Sequence, residues 1–426
     1  MQKYNELKNK ELEDEYKVLI KKYNEIKNLK LDLNMARGKP SSKQLDLSSE
    51  MIEKFKVSDL KKTKENKDAR NYLNLDGIDE TKKFFSNLLD VEKDMVLVGG
   101  NSSLNLMYTL ISNAMQFGIK GEVPWNQQGK IKFLCPCPGY DRHFSICELL
   151  KIEMINIDIN EDGPDVKTIK ELVEKDSTIK GMWCVPKYSN PTGITYTDEI
   201  VKEIARLKPK AKDFRIFWDN AYFIHDFNEE KDKLLNIFDE CKKNDNEDMI
   251  LEFASTSKIT FPGSGISAIV ASKENIKEIK KIMSKQIICF NTVNQIMHCS
   301  FFSTKEKLEK HMKKHAEIIK PKFDLVLEKL EKEIKPLGIG SFSNPNGGYF
   351  ISFDSLNGCA KRIFELCRNV GVILTSPGAT FPYSKDPDDK NIRIAPTYPE
   401  IEELKKAIEI FCLCVKIASI EKILKN

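Results

Sequence analysis

A lysine does covalent chemistry where it is kept from water, and its surroundings single out Lys258. It follows an apolar stretch, sits in Ser255-Thr256-Ser257-Lys258 and precedes Pro262-Gly263-Ser264-Gly265. In a dry pocket at a sheet edge its amine loses proton affinity and becomes an imine former and a base. In a solvated loop it is an ordinary surface lysine, and position alone leaves both readings open. Asp219 ends Phe214-Arg215-Ile216-Phe217-Trp218, a run apolar enough to be buried. A carboxylate there needs a cationic or protonated partner, for which a protonated pyridine nitrogen would serve, or else it caps the segment that follows. Gly99-Gly100-Asn101-Ser102-Ser103 lies between an apolar run and a helix expected from about Leu104. Free backbone N–H groups and the helix dipole favour a phosphate there, and Ser102 and Ser103 add hydroxyl donors. A plain tight turn with an N-cap has the same composition. Arg393, in Asn391-Ile392-Arg393-Ile394-Ala395-Pro396, has apolar flanks that direct its guanidinium into a cleft. A bidentate carboxylate contact and a buried structural ion pair both fit that placement.

These residues must be positioned by the ends of short apolar runs. From about Asp94, apolar stretches of four to seven residues alternate with longer amphipathic segments, the pattern of βα units around a largely parallel sheet. Five expected strands end in polar or glycine-rich clusters. Met95–Val98 precedes Gly99–Ser103, Ile131–Cys135 precedes Pro138-Gly139-Tyr140, and Gly181–Val185 precedes Asn190-Pro191-Thr192-Gly193. Phe214–Trp218 runs into Asp219-Asn220-Ala221-Tyr222, and Met249–Ala254 into Ser255–Lys258. Clusters at the carboxyl ends of strands in one open sheet converge on one site. Beyond about Lys305, long charged helices lead to short strands at Gly348–Ser352 and Ile392–Ile394, which suit a smaller α+β domain. At the other end, Leu7, Tyr16, Leu19, Ile20 and Tyr23 recur among charges at helical spacing, marking an amphipathic arm over residues 1 to about 30. Without repeats, low-complexity tracts or a Pro/Gly/Ser-rich linker, domain boundaries are marked by changes of pattern alone.

At 426 residues the chain exceeds what one core organises, so two domains are expected. Sixty-eight Lys plus Arg against 64 Asp plus Glu leave a net charge of +4, too little to make a case for nucleic acid. No apolar run is long enough for a membrane span or a signal peptide, and a cytoplasmic protein is expected. The eleven cysteines have no regular spacing. Cys135 with Cys137 and Cys412 with Cys414 are too close for a zinc knuckle or a thioredoxin-type pair, so the cysteines read as reduced core thiols and no metal is expected.

Tyr72 in Asn71-Tyr72-Leu73-Asn74-Leu75-Asp76-Gly77, then GGNSS, PGYDRH, NPTG, DNAY, STSK and NIRIAP, occur in the order that resembles the class I and II aminotransferases. These are fold type I pyridoxal phosphate enzymes. Arg37-Gly38-Lys39-Pro40 and Gly378-Ala379-Thr380-Phe381-Pro382-Tyr383 look most like the divergent bacterial aspartate aminotransferase subgroup. The resemblance covers about residues 30 to 400. It implies an α/β fold with a mostly parallel, seven-stranded-type sheet between helices and a smaller α+β domain built from both chain ends. The expected division is an N-terminal arm and part of the small domain over 1–50, a large cofactor domain over 51–303 and the C-terminal small domain over 304–426.

The resemblance also implies roles. Lys258 would carry pyridoxal 5'-phosphate as a Schiff base, Asp219 would pair with the pyridine nitrogen, and Asn190 and Tyr222 would hydrogen-bond the ring's phenolic oxygen. Tyr140 would stack on the ring, and His143 would hydrogen-bond Asp219 from behind. Gly100, Asn101, Ser102, Ser255 and Ser257 would hold the phosphate, joined by Tyr72 of the partner subunit in a homodimer with shared sites. Arg393 would clamp the substrate α-carboxylate beside Asn190, and Gly38 would let the backbone approach the substrate. Arg37, at the mouth, would meet a distal carboxylate, favouring aspartate or glutamate. The family's usual arginine eight residues after the lysine is Ile266 here, so the phosphate must rely on other donors such as Ser257 or Ser264.

The implied reaction is a ping-pong transfer of an amino group to a 2-oxo acid, with Lys258 removing and returning the α-proton. Two rival readings share these parts. A pyridoxal phosphate lyase or decarboxylase on the same fold would make every cofactor contact. A non-catalytic, cofactor-sensing module of a transcriptional regulator fits less well, because about 30 residues before the resemblance are too few for a winged helix-turn-helix and a basic stripe is absent.

Overall fold

The computed structural model describes residues 2–61 and 63–425; Met1, Lys62 and Asn426, which fall within the expected spans, lie outside the described residues. The amphipathic pattern at the start forms the helix Asn9–Lys27, with Leu12, Leu19 and Tyr23 buried. Leu7, Tyr16 and Ile20 pack against the same core. A two-residue strand follows, β1 (Leu33–Asn34). Eight strands then build one sheet: β2 (Val96–Val98), β3 (Lys132–Cys137), β4 (Glu153–Asn160), β5 (Gly163–Pro164), β6 (Ile179–Cys184), β7 (Arg215–Asp219), β8 (Ile250–Ser255) and β9 (Ser267–Ala271). Their order is β2-β9-β8-β7-β6-β3-β4-β5. Strands β4, β3, β6, β7 and β8 are parallel. Strand β9 runs antiparallel to both β8 and β2, so β2 again points the same way as the others. The mostly parallel seven-stranded sheet is thus present, with two-residue β5 added at its edge. All five expected strands form within two residues of their anticipated bounds, and Cys135 lies inside β3 while Cys137 is its last residue. All eleven cysteines are free thiols.

Each strand divides its residues between two apolar layers by the period-two rule. Val96, Val98, Met182, Cys184, Ile216, Trp218 and Ile250 face one layer. Leu97, Trp183, Phe217, Leu251 and Phe253 face the other, together with the helix Ser103–Phe117. Burial on both faces is why these runs are continuously apolar, as in parallel sheets covered by helices.

A third cluster gathers the chain ends, joining residues of the helix Asn9–Lys27 to those of the C-terminal helix Ile401–Ile423. Around it stand the antiparallel strands β10 (Gly340–Phe342), β11 (Ile351–Ser355) and β13 (Asn391–Ile394), while β12 (Val372–Ile373) pairs in parallel with β1. The strand expected at Gly348–Ser352 starts three residues late, at Ile351. Gly347 and Gly348 are pressed against the Tyr188 side chain, and Gly348 takes φ +83°, which turns the chain before it can extend. The helix Lys305–Glu333 bridges the molecule, contributing Leu308 and Met312 to one sheet layer and Phe323, Val326 and Leu330 to the third cluster. No described helix is long and apolar enough to cross a membrane.

Strand β8 carries a buried carboxyl, Glu252, opposite Trp218 of β7. Asn220, just past the end of β7, donates to it from Nδ2 at 2.8 Å. Burial pushes the Glu252 carboxyl up to about 7, with the Asn220 hydrogen bond opposing. A protonated carboxyl has an O–H to offer, and Asn220 Oδ1 is buried without any other donor among the described residues. For an acid whose folded-state pKa is raised, stability is complete below the unfolded value near 4.3 and declines as pH rises toward the folded value near 7. Glu252→Gln is therefore expected to remove, on the order of, 2–3 kcal/mol of stability loss between pH 5 and 8. Urea denaturation across that range checks it, and parallel curves for wild type and variant would mean that Glu252 ionises in the folded state without penalty.

Candidate active site

Asp219 is the last residue of β7, and its side chain is buried. Its Oδ2 meets His143 Nε2 at 3.0 Å. A carboxylate can only accept, so His143 carries its proton on Nε2. The imidazole is itself held, stacked on Trp183 at 4.2 Å and 6° and met edge-on by the Tyr140 ring at 4.9 Å. Tyr140 is the N-cap of the helix Asp141–Leu149, so one helical turn presents both residues to Asp219. Asp219 Oδ1 is buried and has no partner among the described residues.

Lys258 follows β8, and its Nζ stands 4.9 Å from the centre of the Tyr222 ring. Burial lowers the pKa of the amine, and the Asp219 carboxylate opposes that shift. Burial also raises the phenol pKa values of both neighbouring tyrosines: Tyr140 is pushed up to about 12 and Tyr222 well above its ordinary value. The Lys258 carbonyl accepts from Tyr349 Oη at 3.3 Å and meets His225 Nε2 at 3.4 Å. Behind it, Ile259 O meets His311 Nε2 at 2.8 Å, Thr260 Oγ1 meets His298 Nε2 at 2.9 Å, and His315 lies 3.1 Å from His311. The chain's five histidines therefore all surround Asp219 and the Lys258 turn. Burial lowers the pKa of His225 and His315 to about 3 and of His298 to about 4, keeping them uncharged near neutrality.

Arg393 comes from β13 and is buried. Its Nη1 donates to Asp141 Oδ1 at 2.9 Å and to Asn190 Oδ1 at 3.2 Å, and the Phe350 ring covers the guanidinium at 4.9 Å. Arg393 Nε is buried without a partner among the described residues. Gly38 backs the same ring: a Cβ added there would stand 2.1 Å from Phe350 Cζ, so any larger residue would displace it. Arg37, next to it, is exposed.

After β2, the Gly100-Asn101-Ser102 turn is stitched to the turn that carries Lys258. Ser257 Oγ donates to Asn101 O at 2.9 Å, Ser255 Oγ to Ser257 Oγ at 3.1 Å, and Asn101 Nδ2 to Pro262 O at 3.3 Å. Ser102 is the N-cap of the helix Ser103–Phe117, yet its hydroxyl makes no capping bond. A helix N-terminus with an uncommitted hydroxyl suits an anion. Ile266 is buried, and its backbone N–H donates to Thr256 Oγ1 at 2.9 Å. Tyr72 is 70% exposed, so the described chain does not draw it into this cleft.

The structure thus brings together Lys258, Asp219, Tyr222, Tyr140, His143, Asn190 and Arg393, with Gly100, Asn101, Ser102, Ser255 and Ser257 forming a neighbouring cup. Asp141, Phe350, Tyr349 and the histidines behind Lys258 were missed from sequence. Asp141 stood inside PGYDRH, but its partner lies 252 residues away. The buried, donor-seeking Asp219 Oδ1 and the free Ser102 hydroxyl fit a phosphorylated ring with a protonated nitrogen. Among the described residues, no three His, Cys, Asp or Glu are grouped to hold a metal.

The family model for aspartate aminotransferase matches residues 7–426. The aspartate aminotransferase of Corynebacterium glutamicum is 41% identical over 392 residues, which cover 92% of this chain and 90% of that protein. The crystal structure of an aspartate transaminase from the same organism superposes with a TM-score of 0.96 at 39% identity, over 98% of this chain and 99% of that one. The α-aminoadipate aminotransferase of Thermus thermophilus, solved with N-(5'-phosphopyridoxyl)-L-leucine, has the same fold at a TM-score of 0.73 and 17% identity, over 92% of this chain and 93% of that one. With relatives alike along nearly the whole of both chains and a family pattern that runs from residue 7 to residue 426, this chain belongs to the aspartate aminotransferase family and is an aminotransferase.

Proposed function

We infer that the protein is a pyridoxal 5'-phosphate-dependent aminotransferase that moves the amino group of aspartate or glutamate to a 2-oxo acid by a ping-pong mechanism. The observation that carries the cofactor reading is Asp219 Oδ1, a buried carboxylate oxygen with no protein donor, in the site that also holds Lys258. When bound, the cofactor supplies a ring that takes up the electrons left when the substrate's Cα loses its proton. Lys258 Nζ, its proton affinity lowered by burial, would be the base that accepts the Cα proton and the acid that holds it for return. Asp219, oriented by His143, holds a proton on the pyridine nitrogen. Asn190 and Tyr222 would donate to the phenolic oxygen, and Tyr140 would cover the ring. Gly100, Asn101, Ser102, Ser255 and Ser257 would hold the phosphate through neutral N–H groups and the Ser102 hydroxyl, with the Ser255 and Ser257 hydroxyls turning from the contacts they make here to join them. Tyr72, exposed here, joins them from a second copy in a homodimer.

Arg393 and Asn190 receive the α-carboxylate, which both the amino acid and the oxo acid carry, so one set of residues serves both half-reactions. Gly38 lets the backbone close on the substrate. Arg37, exposed at the mouth, meets the distal carboxylate, a reading supported by the name of the Corynebacterium glutamicum relative. We also divide the chain into 1–50, 51–303 and 304–426, supported by the apolar cluster that joins both chain ends.

The deciding experiment is the absorption spectrum of the protein loaded with pyridoxal phosphate, before and after adding aspartate without an oxo acid. The visible band of the lysine-bound cofactor is expected to give way to a stable near-ultraviolet pyridoxamine phosphate band. A spectrum unchanged by aspartate but shifted by another amino acid would remove the acidic-substrate reading, and ammonia plus an unsaturated or decarboxylated product would favour a lyase or decarboxylase. Lys258→Ala should lower kcat by about four orders of magnitude. Arg37→Ala should lower kcat/KM for aspartate about tenfold or more, with alanine turnover affected far less. Equal losses on both substrates would show that Arg37 does not read the side chain. For the cup, Ser102→Ala should weaken cofactor binding about fivefold in equilibrium titration, and full affinity would move the phosphate elsewhere.

A further inference from the structure

Arg393 is the group on which substrate recognition turns, and it already holds a carboxylate. Its ion pair with Asp141 is its one ion pair among the described residues. A guanidinium taken from water needs an anion, because an unpaired buried charge is far more costly than a paired one. Asn190 supplies only a neutral oxygen, at 3.2 Å, and the face toward Phe350 is apolar. With Arg393 Nε unsatisfied as well, the guanidinium has capacity for a further acceptor.

Asp141 differs from its partner in having somewhere else to go. The Arg393 side chain is 8% exposed, whereas that of Asp141 is 31% exposed. Asp141 is also the first residue of the helix Asp141–Leu149. A carboxylate that leaves the guanidinium there reaches water while staying near free helix N–H groups, where the dipole favours negative charge. The helix need not move for this, because His143, two residues on, is fastened to Asp219 and stacked on Trp183. The exchange is confined to one short side chain.

We propose that Asp141 is a built-in competitor for the substrate's α-carboxylate, so that binding exchanges one carboxylate for another on Arg393. The proposal rests on the reading of Arg393 as the α-carboxylate clamp. It makes Asp141 a specificity-determining residue. A carboxylate kept on Arg393 repels a second one brought beside it, and the negative charge at position 141 sets the affinity for every ligand that uses the clamp. The donor amino acid and the acceptor oxo acid are affected alike, and an amine without a carboxylate is unaffected. It also keeps the buried guanidinium paired on either side of the binding step.

The test uses the enzyme loaded with pyridoxal phosphate, with succinate as a non-reacting dicarboxylate. Asp141→Asn is expected to melt at a lower temperature than wild type without succinate and to gain more in Tm when succinate is added. KM for aspartate and for 2-oxoglutarate should both fall about fivefold, with the effect on KM and not chiefly on kcat. Asp141→Glu should restore wild-type behaviour, and the rate of reaction with ethylamine should not follow the series. A raised KM with a smaller succinate shift would overturn the proposal and make Asp141 a positioning residue that orients Arg393. Asp141→Ser, which keeps an oxygen at the helix start, provides the same comparison if the Asn variant folds poorly. If none of the amino acids tried converts the wild-type cofactor to pyridoxamine phosphate, the proposed function fails, and the succinate shifts still decide the exchange on Arg393.

Discussion

A carboxylate that ends a strand in the middle of a parallel sheet has lost its water, and the surroundings of Asp219 answer that loss. One oxygen is met by His143 at 3.0 Å, and that ring is gripped between Trp183 and Tyr140. The grip ties three elements to one atom: β7 through Asp219, β6 through Trp183 and the helix Asp141–Leu149 through His143 and Tyr140. The other oxygen has no partner among the described residues. Burying an unsatisfied acceptor costs about 1–3 kcal/mol, so its retention in the middle of the sheet is hard to explain by stability alone. The rest of the cleft is arranged around that unfilled position.

Lys258 meets the complementary constraint. A lysine that is to act as a base must be kept from water without being tied to a permanent counter-ion, and its surroundings are the Tyr222 ring, an Asp219 carboxylate that acts on it without an ion pair among the described residues, and backbone held from behind. The turn that carries it is fixed through its carbonyls and Thr260 by Tyr349, His225, His311 and His298, so the amine can be left free while the backbone is not. Two of these contacts, Tyr349 and His311, come from the C-terminal part of the chain, and His311 lies on the long helix Lys305–Glu333 that bridges the apolar clusters. The position of the Lys258 turn is in this way coupled to the packing of both chain ends. The imidazoles do this as neutral groups, since burial keeps them from taking up protons near neutrality.

The parts of this arrangement that could be read from sequence are those that local pattern determines. Continuous apolar runs followed by polar clusters identified β2, β3, β6, β7 and β8 and the convergence of their ends, because strands buried on both faces have little freedom in composition. Strand β9 is just as apolar, but composition does not encode direction, and its antiparallel course depends on its pairing with β8 and β2. The start of β11 was misplaced because Gly347 and Gly348 answer to Tyr188, a contact far away in sequence. Asp141 and Arg393 were each visible as residues, and their pairing was not, since it exists only after β13 is set beside the sheet. The histidines behind Lys258 were invisible for the same reason: a single His in an apolar setting reads as core packing until its partner atom is known.

Ile266 shows how one such long-range constraint redistributes a chemical task. Its side chain belongs to an apolar layer of the sheet and its N–H fastens Thr256, so this position helps to shape the turn that presents Lys258. Charge compensation for the phosphate in the cup we propose then falls to several weaker groups. A helix N-terminus contributes about 0.3–1 kcal/mol toward an anion, up to about 2 when partly buried. Each hydrogen bond to a charged group adds about 1.5–3 kcal/mol. The Ser102 hydroxyl and the free amides at the start of Ser103–Phe117 are the neutral donors at hand, while the Ser255 and Ser257 hydroxyls, which here donate to Ser257 and to Asn101 O, would have to turn to join them. Distributed neutral donors also leave the cup without a permanent cation of its own at that position, so Lys258 does not face a repelling guanidinium from residue 266. The lowered pKa of its amine then owes most to burial and least to neighbouring positive charge, which agrees with the physical causes acting on it here.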